Sequence, residues 1–212
     1  MFDRNTLGLY LVTDRPLALG RDLIWLVQEA VQGGVTLVQL REKDLDSRHF
    51  IELARRLHEV LAPLGVPLLI NDRVDVALAA GADGVHLGQS DMAYEDARRI
   101  LGNDKIIGIS IENYEQAVEA NGQDVDYIAV SPVYLTDTKT DTSAALGLEG
   151  VRRISSVSRH PCCGIGCMNR NTAADVIRAG ADGIAVVSAI MSAPDPRAAA
   201  KELSEIVKNA KI

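Results

Sequence analysis

The chain has 212 residues, of which 47% are hydrophobic and 24% charged, a composition typical of a globular protein with a substantial core. Its net charge of -7 and isoelectric point near 5.1 argue against a nucleic-acid-binding protein, which is usually basic. No apolar run is long enough to span a membrane and the first residues do not resemble a signal peptide, so we expect a cytoplasmic protein.

Short apolar or β-branched runs alternate along the chain with longer amphipathic segments. The runs predict strands at 9–13, 37–40, 67–70, 84–87, 106–110, 127–130, 162–165 and 183–187. The segments predict helices at 23–32, 47–64, 74–80, 94–101, 114–121, 148–157, 172–179 and 195–208. Eight strand–helix units of roughly 26 residues each favour a single-domain α/β protein over residues 1–212, a (β/α)₈ TIM barrel. A doubly wound open sheet is the alternative, but the early glycine-rich dinucleotide turn usual for that fold is missing.

An internal repeat supports the barrel. Residues 79–85 (AAGADGV) recur as residues 178–184 (RAGADGI), about half the chain length further on. Both copies end a predicted helix and enter a strand, where Gly serves as a helix C-cap and Asp-Gly forms a turn. Such loops lie at the end of a barrel opposite the active site, so Asp83 and Asp182 are not catalytic candidates.

Three cysteines, Cys162, Cys163 and Cys167, lie close together in the sequence. Their clustering prevents a long-range disulfide framework and, with the odd count, favours a reducing environment. A metal site is an open alternative. Because C-x-x-C spacing is missing and no histidine stands at ligand spacing, buried strand cysteines are the preferred interpretation.

Polar side chains gather where the predicted strands end, and in a barrel these ends build the active site. Gln39, Arg41 and Lys43 follow the second strand and alternate onto one face. Asn71 and Asp72 end the third strand. Two cations beside a carboxylate suggest a polyanionic ligand, most simply a diphosphate with Mg²⁺.

A second carboxylate, Asp91, follows the fourth strand. Because adjacent strands end side by side, Asp72 and Asp91 are candidate ligands of one shared ion. Two hard oxygen ligands suit Mg²⁺, which keeps waters and takes phosphate oxygens, so we expect one Mg²⁺ per subunit. The alternative is that both aspartates are helix N-caps.

A second anion site is predicted after strands seven and eight. Glycine-rich turns there expose backbone N–H groups, and this is the usual barrel position for a phosphate monoester. Two anion sites imply two phosphorylated substrates, or one substrate with phosphates at both ends. The long loop at 135–142 is either a solvated connection or a lid that brings Lys139 over a diphosphate. The sequence shows no arrangement of a nucleophile with a base, and His86, inside the fourth strand, favours a structural interpretation.

These segments together resemble the thiamine-phosphate synthase family over nearly the whole chain. The resemblance rests on residues 10–14, 39–43, 70–74, 84–91, 108–110, 136–139 and 185–188. Each motif alone is weak, but their order and spacing are specific.

The resemblance implies a (β/α)₈ barrel and a transferase of thiamine biosynthesis. The family couples 4-amino-2-methyl-5-(diphosphooxymethyl)pyrimidine with 4-methyl-5-(2-phosphooxyethyl)thiazole, or its carboxylated form, to give thiamine phosphate and pyrophosphate. The implied route is Mg-assisted dissociative loss of pyrophosphate and attack by the thiazole nitrogen, without an enzymic base or covalent nucleophile.

The resemblance also assigns roles residue by residue. It implies pyrimidine diphosphate binding by Gln39, Arg41, Glu42, Lys43, Asn71, Ser110 and Lys139, of which Arg41, Lys43, Ser110 and Lys139 are catalytic. It implies thiazole phosphate binding by Thr136, Asp137, Thr138, Gly166, Cys167, Val187 and Ser188, and metal binding by Asp72 and Asp91. The family usually has a second glycine where Cys167 stands, and the binding group there is a backbone N–H, which cysteine also has.

Two rival functions remain on the same barrel. A thiazole tautomerase-like relative is expected to lack the cations and metal carboxylates and to use a histidine near Ser110. A non-catalytic phosphate-ligand sensor would not need groups that stabilise a leaving group. The Asp72–Asp91 pair and Lys139 in the predicted lid therefore argue against a sensor. The expected partners are therefore two small phosphorylated substrates, without nucleic acid or membrane, and the oligomeric state stays open.

Overall fold

Eight parallel strands form a closed barrel in the computed structural model, which describes residues 2–135 and 144–211. The strands are β1 (Leu9–Val12), β2 (Leu37–Leu40), β3 (Leu68–Asn71), β4 (Gly84–Leu87), β5 (Ile106–Ile111), β6 (Tyr127–Val130), β7 (Cys162–Ile165) and β8 (Gly183–Val186). Neighbours in sequence are neighbours in the barrel, and β8 closes it by pairing with β1. The predicted (β/α)₈ barrel is confirmed, and the open-sheet alternative is excluded.

Helices surround the barrel. Within the described residues they are α1 (Leu23–Gln32), α2 (Ser47–Leu61), α3 (Val74–Ala80), α4 (Tyr94–Leu101), α5 (Tyr114–Ala120), α6 (Gly147–Val157), α7 (Ala173–Arg178), α8 (Ser188–Met191) and α9 (Pro196–Ala210). The last helix, α9, packs against α1 and α7 and so completes the outer ring. The four-residue helix α8 directly follows β8 and was not delimited by the sequence pattern.

Local sequence signals account for many of the helix boundaries. Asp22, Asp46, Asn113 and Asp195 each precede a helix, and each side chain accepts a hydrogen bond from the backbone N–H three residues later. The predicted second helix extended to residue 64, but the α-helix ends at Leu61. Residues 62–64 form a tighter 3₁₀ turn. Pro63 is tolerated there because the first turn of a helix does not need its missing N–H.

Alternation along the strands divides the core into two layers. One set of side chains fills the barrel interior: Leu7, Tyr10, Val12, Leu37, Leu69, Tyr127, Ala129, Cys163 and Ala185. The opposite set, such as Leu9, Leu11, Val38 and Leu40, packs against the helices. The barrel interior is therefore filled with side chains and is not a pore. These side chains form the floor of any site at the carboxyl ends of the strands.

The two repeated aspartates lie at the bottom of the barrel, where the strands begin. Asp83 accepts a hydrogen bond from Leu68 N at 2.8 Å, and Asp182 accepts one from Cys162 N at the same distance. Each carboxylate thus ties the loop before one strand to the start of its neighbour. Their expected structural role is confirmed.

Two of the three cysteines are interior strand residues, as expected. Cys162 and Cys163 are buried, and burial raises the pKa of the Cys162 thiol to about 12. Cys167 is exposed. Residues 2–135 and 144–211 contain no cluster of three or more His, Cys, Asp or Glu side chains able to hold a metal. None of the helices in this part of the chain combines the length and apolar character needed to cross a membrane.

Candidate active site

An open cavity of about 990 Å³ lies at the carboxyl ends of the strands. Every strand contributes at least one inward side chain to it: Tyr10, Val12, Gln39, Asn71, His86, Ser110, Ala129, Ile165 and Ala185. The loops that follow the strands form its walls. This is the end of a barrel at which catalytic residues are found.

The wall after β2 carries two cations that are held by carboxylates. Lys43 Nζ lies 2.6 Å from Asp72 Oδ2, and Arg41 Nη1 lies 3.3 Å from Asp14 Oδ2. Arg41 is further fixed because its backbone N–H donates to Thr13 Oγ1 at 3.0 Å. Both cationic side chains line the cavity. The two side chains therefore face the same cavity, as predicted, although β2 ends at Leu40 and both residues lie in the loop after it.

Asp72 and Asp91 lie together, as their positions after adjacent strands predicted. Burial would raise the pKa of the Asp72 carboxyl, but hydrogen bonds with Lys43 and Asp91 and the Lys43 charge hold that pKa below its ordinary value. Burial and the neighbouring Asp72 raise the pKa of the Asp91 carboxyl, although Gly88 N donates to Asp91 Oδ2 at 2.6 Å. Two carboxylates that compete for one proton form a donor set that suits a hard divalent cation with waters and phosphate oxygens as its other ligands.

The backbone at Asp72 is strained. Its φ is 60°, in the left-handed region that residues other than glycine seldom adopt and that costs about 1–3 kcal/mol. The conformation is held by Asp72 N, which donates to His86 O at 2.9 Å, and by Arg73 N, which donates to Asn71 O at 2.7 Å. A strained backbone that its surroundings hold in place is common at functional sites.

The opposite wall follows β7 and β8. Gly166, Cys167, Val187 and Ser188 all line the same cavity as the cations. Gly166 has φ 109° and Cys167 has φ 52°, so both have positive φ. A Cβ at Gly166 would lie 2.8 Å from Tyr134 O, which leaves glycine as the residue that fits there. At position 167 cysteine adopts a conformation that glycine adopts without strain.

Glu42 lies outside this group. Its side chain accepts two hydrogen bonds from Arg15, at 2.8 and 3.1 Å, and is only 4% exposed. Unlike its neighbours Arg41 and Lys43, it is not among the described residues that line the cavity. The predicted residues Thr136, Asp137, Thr138 and Lys139 fall outside the described residues.

The floor of the cavity contains His86, for which the sequence favoured a structural role, and Tyr127, which was not among the predicted site residues. His86 is 8% exposed, and its two ring nitrogens lie 2.8 Å from Tyr127 Oη and 3.0 Å from Ser110 Oγ. Tyr127 Oη in turn lies 2.9 Å from Tyr10 Oη, which accepts a hydrogen bond from Gln39 Nε2. A signal was available, since His86 and Tyr127 occupy inward strand positions that a packed barrel would otherwise fill with apolar residues.

Sequence comparison agrees with this geometry. A protein-family model described as thiamine monophosphate synthase matches residues 9–190. The chain belongs to the thiamine monophosphate synthase family. Curated members of the family that resemble it are named thiamine-phosphate synthase and are transferases.

Two such relatives cover almost the whole chain. One from Leptospira biflexa serovar Patoc is 57% identical over 196 residues, which is 91% of this chain and 93% of the relative. One from Albidiferax ferrireducens is 51% identical over 203 residues, covering 96% of this chain and 93% of the relative.

Solved structures give the same result. A thiamine phosphate pyrophosphorylase from Pyrococcus furiosus superposes with a TM-score of 0.90 at 40% identity, covering 98% of both chains. A 3-hexulose-6-phosphate synthase, at 18% identity and a TM-score of 0.68, shares the fold.

Proposed function

We propose that this chain is a thiamine-phosphate synthase. It couples 4-amino-2-methyl-5-(diphosphooxymethyl)pyrimidine with 4-methyl-5-(2-phosphooxyethyl)thiazole to give thiamine phosphate and pyrophosphate. With the carboxylated form of the thiazole, the same coupling also releases CO₂. The observation that carries the proposal is one cavity with a cation and carboxylate wall on one side and the Gly166–Cys167 turn on the other. Family membership supports the same reaction.

The diphosphate of the pyrimidine substrate binds beside Arg41 and Lys43. Both cations line the cavity, and both are now balanced by carboxylates, Asp14 and Asp72. A diphosphate would draw Lys43 away from Asp72 and leave that carboxylate available to a metal ion. Asn71 lines the same wall. Lys139 completes the cation set by the family resemblance.

Mg²⁺ is the cofactor that this wall fits. Asp72 and Asp91 would hold it, one ion per subunit, because their carboxylates are adjacent and hard oxygen donors are what Mg²⁺ prefers. When bound there, the ion would neutralise charge on the diphosphate oxygens and so improve the leaving group.

The thiazole phosphate binds at the opposite wall, at the backbone of Gly166, Cys167, Val187 and Ser188. This assignment is supported by their shared lining of the cavity and by the two positive φ angles, since turns of this kind can direct successive backbone N–H groups toward an anion. Thr136, Asp137 and Thr138 would contribute from the loop after β6.

The reaction is a substitution at the pyrimidine methylene. Arg41, Lys43 and Lys139 stabilise the negative charge that develops on departing pyrophosphate while the C–O bond breaks. The electron-rich aminopyrimidine carries the resulting positive charge, and the thiazole nitrogen donates its lone pair to form the new C–N bond. Gln39 and Ser110 hold the pyrimidine ring, so the chain supplies electrostatic stabilisation and orientation rather than a base or nucleophile.

The test is pyrophosphate release by the purified protein with both substrates and Mg²⁺. Lys43→Met should lower kcat by about a hundredfold or more, the usual effect of removing one group that stabilises developing charge. Asp72→Asn should lower activity and raise the Mg²⁺ concentration that is needed. Asp75→Asn is the matched control, because that carboxylate pairs with Arg73 and does not line the cavity.

Release that needs the thiazole phosphate and falls only in the site variants supports the synthase. The absence of release from a wild-type protein that binds the pyrimidine diphosphate would reject the synthase and favour the sensor. Isomerisation of the thiazole without any coupling would favour the tautomerase.

A further inference from the structure

A hydrogen-bonded chain of five side chains crosses the barrel interior beneath the cavity. It runs from Gln39 on β2 through Tyr10 on β1, Tyr127 on β6 and His86 on β4 to Ser110 on β5. Gln39 and Ser110, at its two ends, are the residues assigned to the pyrimidine ring. The three residues between them have no assigned role in the reaction.

The middle of this chain is rigid and shielded from water. Tyr10 and Tyr127 are 1% and 0% exposed, and their rings meet edge to face at 5.9 Å. Phe2 stacks on Tyr127 from below at 5.6 Å, and His86 stacks on it at the same distance. Gly108 leaves the space through which the Tyr127 ring reaches His86. Side chains packed this tightly have few other rotamers available.

Both phenols stay protonated throughout the pH range in which enzymes work. Burial is the largest cause that raises the pKa of Tyr10 and of Tyr127. Each hydroxyl therefore has one proton to donate and can accept a hydrogen bond in return. Because a hydroxyl oxygen also has two lone pairs, the hydrogen bonds of such a chain can run in either of two directions.

One of the two directions gives every buried phenol proton an acceptor. Gln39 Nε2 donates to Tyr10 Oη in either case. If Tyr127 also donated to Tyr10, the proton of Tyr10, a residue that is 1% exposed, would have no acceptor among the described residues. The favoured direction therefore has Tyr10 donating to Tyr127 Oη and Tyr127 donating to His86 Nδ1. His86 is then the neutral tautomer with its proton on Nε2, which it donates to Ser110 Oγ. Ser110 receives that bond and retains its own hydroxyl proton for a ligand.

We propose that Tyr10, Tyr127 and His86 are positioning residues that couple Gln39 to Ser110 and fix the donor–acceptor pattern with which the cavity recognises a pyrimidine. Gln39, having used its amide nitrogen, offers its carbonyl oxygen as an acceptor, and Ser110 offers a donor. A 4-aminopyrimidine matches this pattern, because its exocyclic amine donates and its ring nitrogens accept. The inference rests on the proposed function for the identity of the substrate, but the tautomer of His86 does not depend on it.

A 4-oxopyrimidine has the opposite pattern, since its oxygen accepts and the neighbouring ring nitrogen carries a proton. The hydrogen-bonded chain therefore makes the cavity specific for the amino form. A site built to pair with one pattern rejects the reversed one strongly, because its buried polar groups are left without partners.

The first test uses the ligand-free protein and no activity. Nitrogen-15 NMR of histidine-labelled protein at about pH 8, with His86→Gln to assign the signal, reports which ring nitrogen carries the proton. We expect the Nε2-protonated tautomer, and a shift of the Nδ1 signal in Tyr127→Phe, which keeps the ring and removes the hydroxyl. A proton on Nδ1, or an average of the two tautomers, would overturn the inference whether or not the protein is a synthase.

The second test compares kcat/KM for the amino and 4-oxo pyrimidine diphosphates. The wild type should prefer the amino substrate by about a hundredfold or more, and Tyr127→Phe should reduce that preference by about tenfold. Tyr114→Phe is the matched control, because Tyr114 lies on α5 beneath the Arg153 guanidinium and outside the cavity. Tyr10→Phe interrupts the chain one step further away and should act in the same direction if Tyr127→Phe folds poorly.

Because Tyr127 acts through Ser110, the effects of substituting these two residues on substrate preference should not be additive. In a Ser110→Ala background, Tyr127→Phe should change the preference by less than about twofold. If Tyr127→Phe lowers the preference for the amino substrate equally with and without Ser110, the inference is overturned. It is also overturned if neither Tyr127→Phe nor Tyr10→Phe changes that preference, because the tyrosines would then serve only to pack the core.

Discussion

Gly108→Ala is expected to destabilise the protein severely, although it adds a single methyl group. Gly108 is an inward residue of β5, two positions before Ser110 on the same face of the strand. A Cβ built there would lie less than 3.0 Å from three atoms of the Tyr127 side chain, closer than real Cβ atoms approach their neighbours. The alternative to moving this ring is to move the strand.

The magnitude follows from what the displaced ring would lose. A shift of about 1 Å would stretch its hydrogen bonds to Tyr10 and His86, now 2.9 and 2.8 Å, beyond the range of a hydrogen bond. Overpacking costs about 1–3 kcal/mol, and each buried polar group left without a partner costs about 1–3 kcal/mol. Allowing for partial relaxation, we expect the free energy of unfolding to fall by about 3–5 kcal/mol.

Equilibrium urea unfolding measures this change, and Gly122→Ala is the matched control. Gly122 lies in an exposed turn where the nearest atom to an added Cβ is Glu119 O at 3.6 Å, so its effect should stay within about 0.5 kcal/mol. Combining Gly108→Ala with Tyr127→Leu should recover part of the loss, because the clash with the ring is removed. If Gly108→Ala alone unfolds within about 0.5 kcal/mol of the wild type, the packing argument for the floor is refuted.

Three further predictions concern the thiols and one helix terminus. Cys167 should be the one of the three cysteines to react rapidly with a thiol reagent in the folded protein, since Cys162 and Cys163 are buried; rapid reaction of two or more thiols would contradict this. Cys167→Gly should raise the free energy of unfolding by up to about 1 kcal/mol, because glycine adopts a positive φ without strain. A lower midpoint temperature of thermal unfolding in this variant would contradict the strain at position 167. The hydrogen bond and charge of Asp46 raise the pKa of His49, so this pair stabilises α2 fully below the unfolded pKa near 6.5, and its contribution is lost as the pH rises through the folded value. An NMR titration in which Asp46→Asn leaves the pKa of His49 unchanged would disprove this coupling.

Most of the fold could be predicted because barrel strands carry strong local signals. Four strand predictions, at 37–40, 84–87, 127–130 and 162–165, coincide with the observed bounds. Three others differ by one residue at one end, and the prediction at 67–70 is shifted by one residue from the observed strand at 68–71. Three of the four coinciding strands, all but 37–40, are apolar runs bounded by Gly, Asp or Pro within two residues, which mark where each begins or ends. The end of α2 was wrong by three residues, because the apolar pattern continues through a 3₁₀ turn that hydrophobic periodicity does not distinguish from an α-helix.

The site could be predicted only where one strand end specifies it. The rule that barrel chemistry lies at the carboxyl ends of strands brought Arg41, Lys43, Asp72 and Asp91 together correctly. The contact between Tyr127 and His86 could not be foreseen in this way. It joins β4 and β6, which are not neighbours in the sheet, and so depends on barrel closure and on the register of three strands.

Backbone strain was equally inaccessible to the sequence pattern. Whether position 167 has positive φ was an open question that only the path of the turn after β7 could answer, and its φ is 52°. Asp72 shows the same limitation, since an aspartate that ends a strand does not indicate a left-handed backbone by itself.

The most direct test of the central claim is phosphorus-31 NMR of a reaction that contains the purified chain, the pyrimidine diphosphate, the thiazole phosphate and Mg²⁺. We expect the diphosphate signals to be replaced by pyrophosphate while the monoester signal moves to that of thiamine phosphate, in equal amounts and only when both substrates are present. Diphosphate signals that persist beside an unchanged monoester, or pyrophosphate that forms without any coupled product, would contradict the proposed synthase activity.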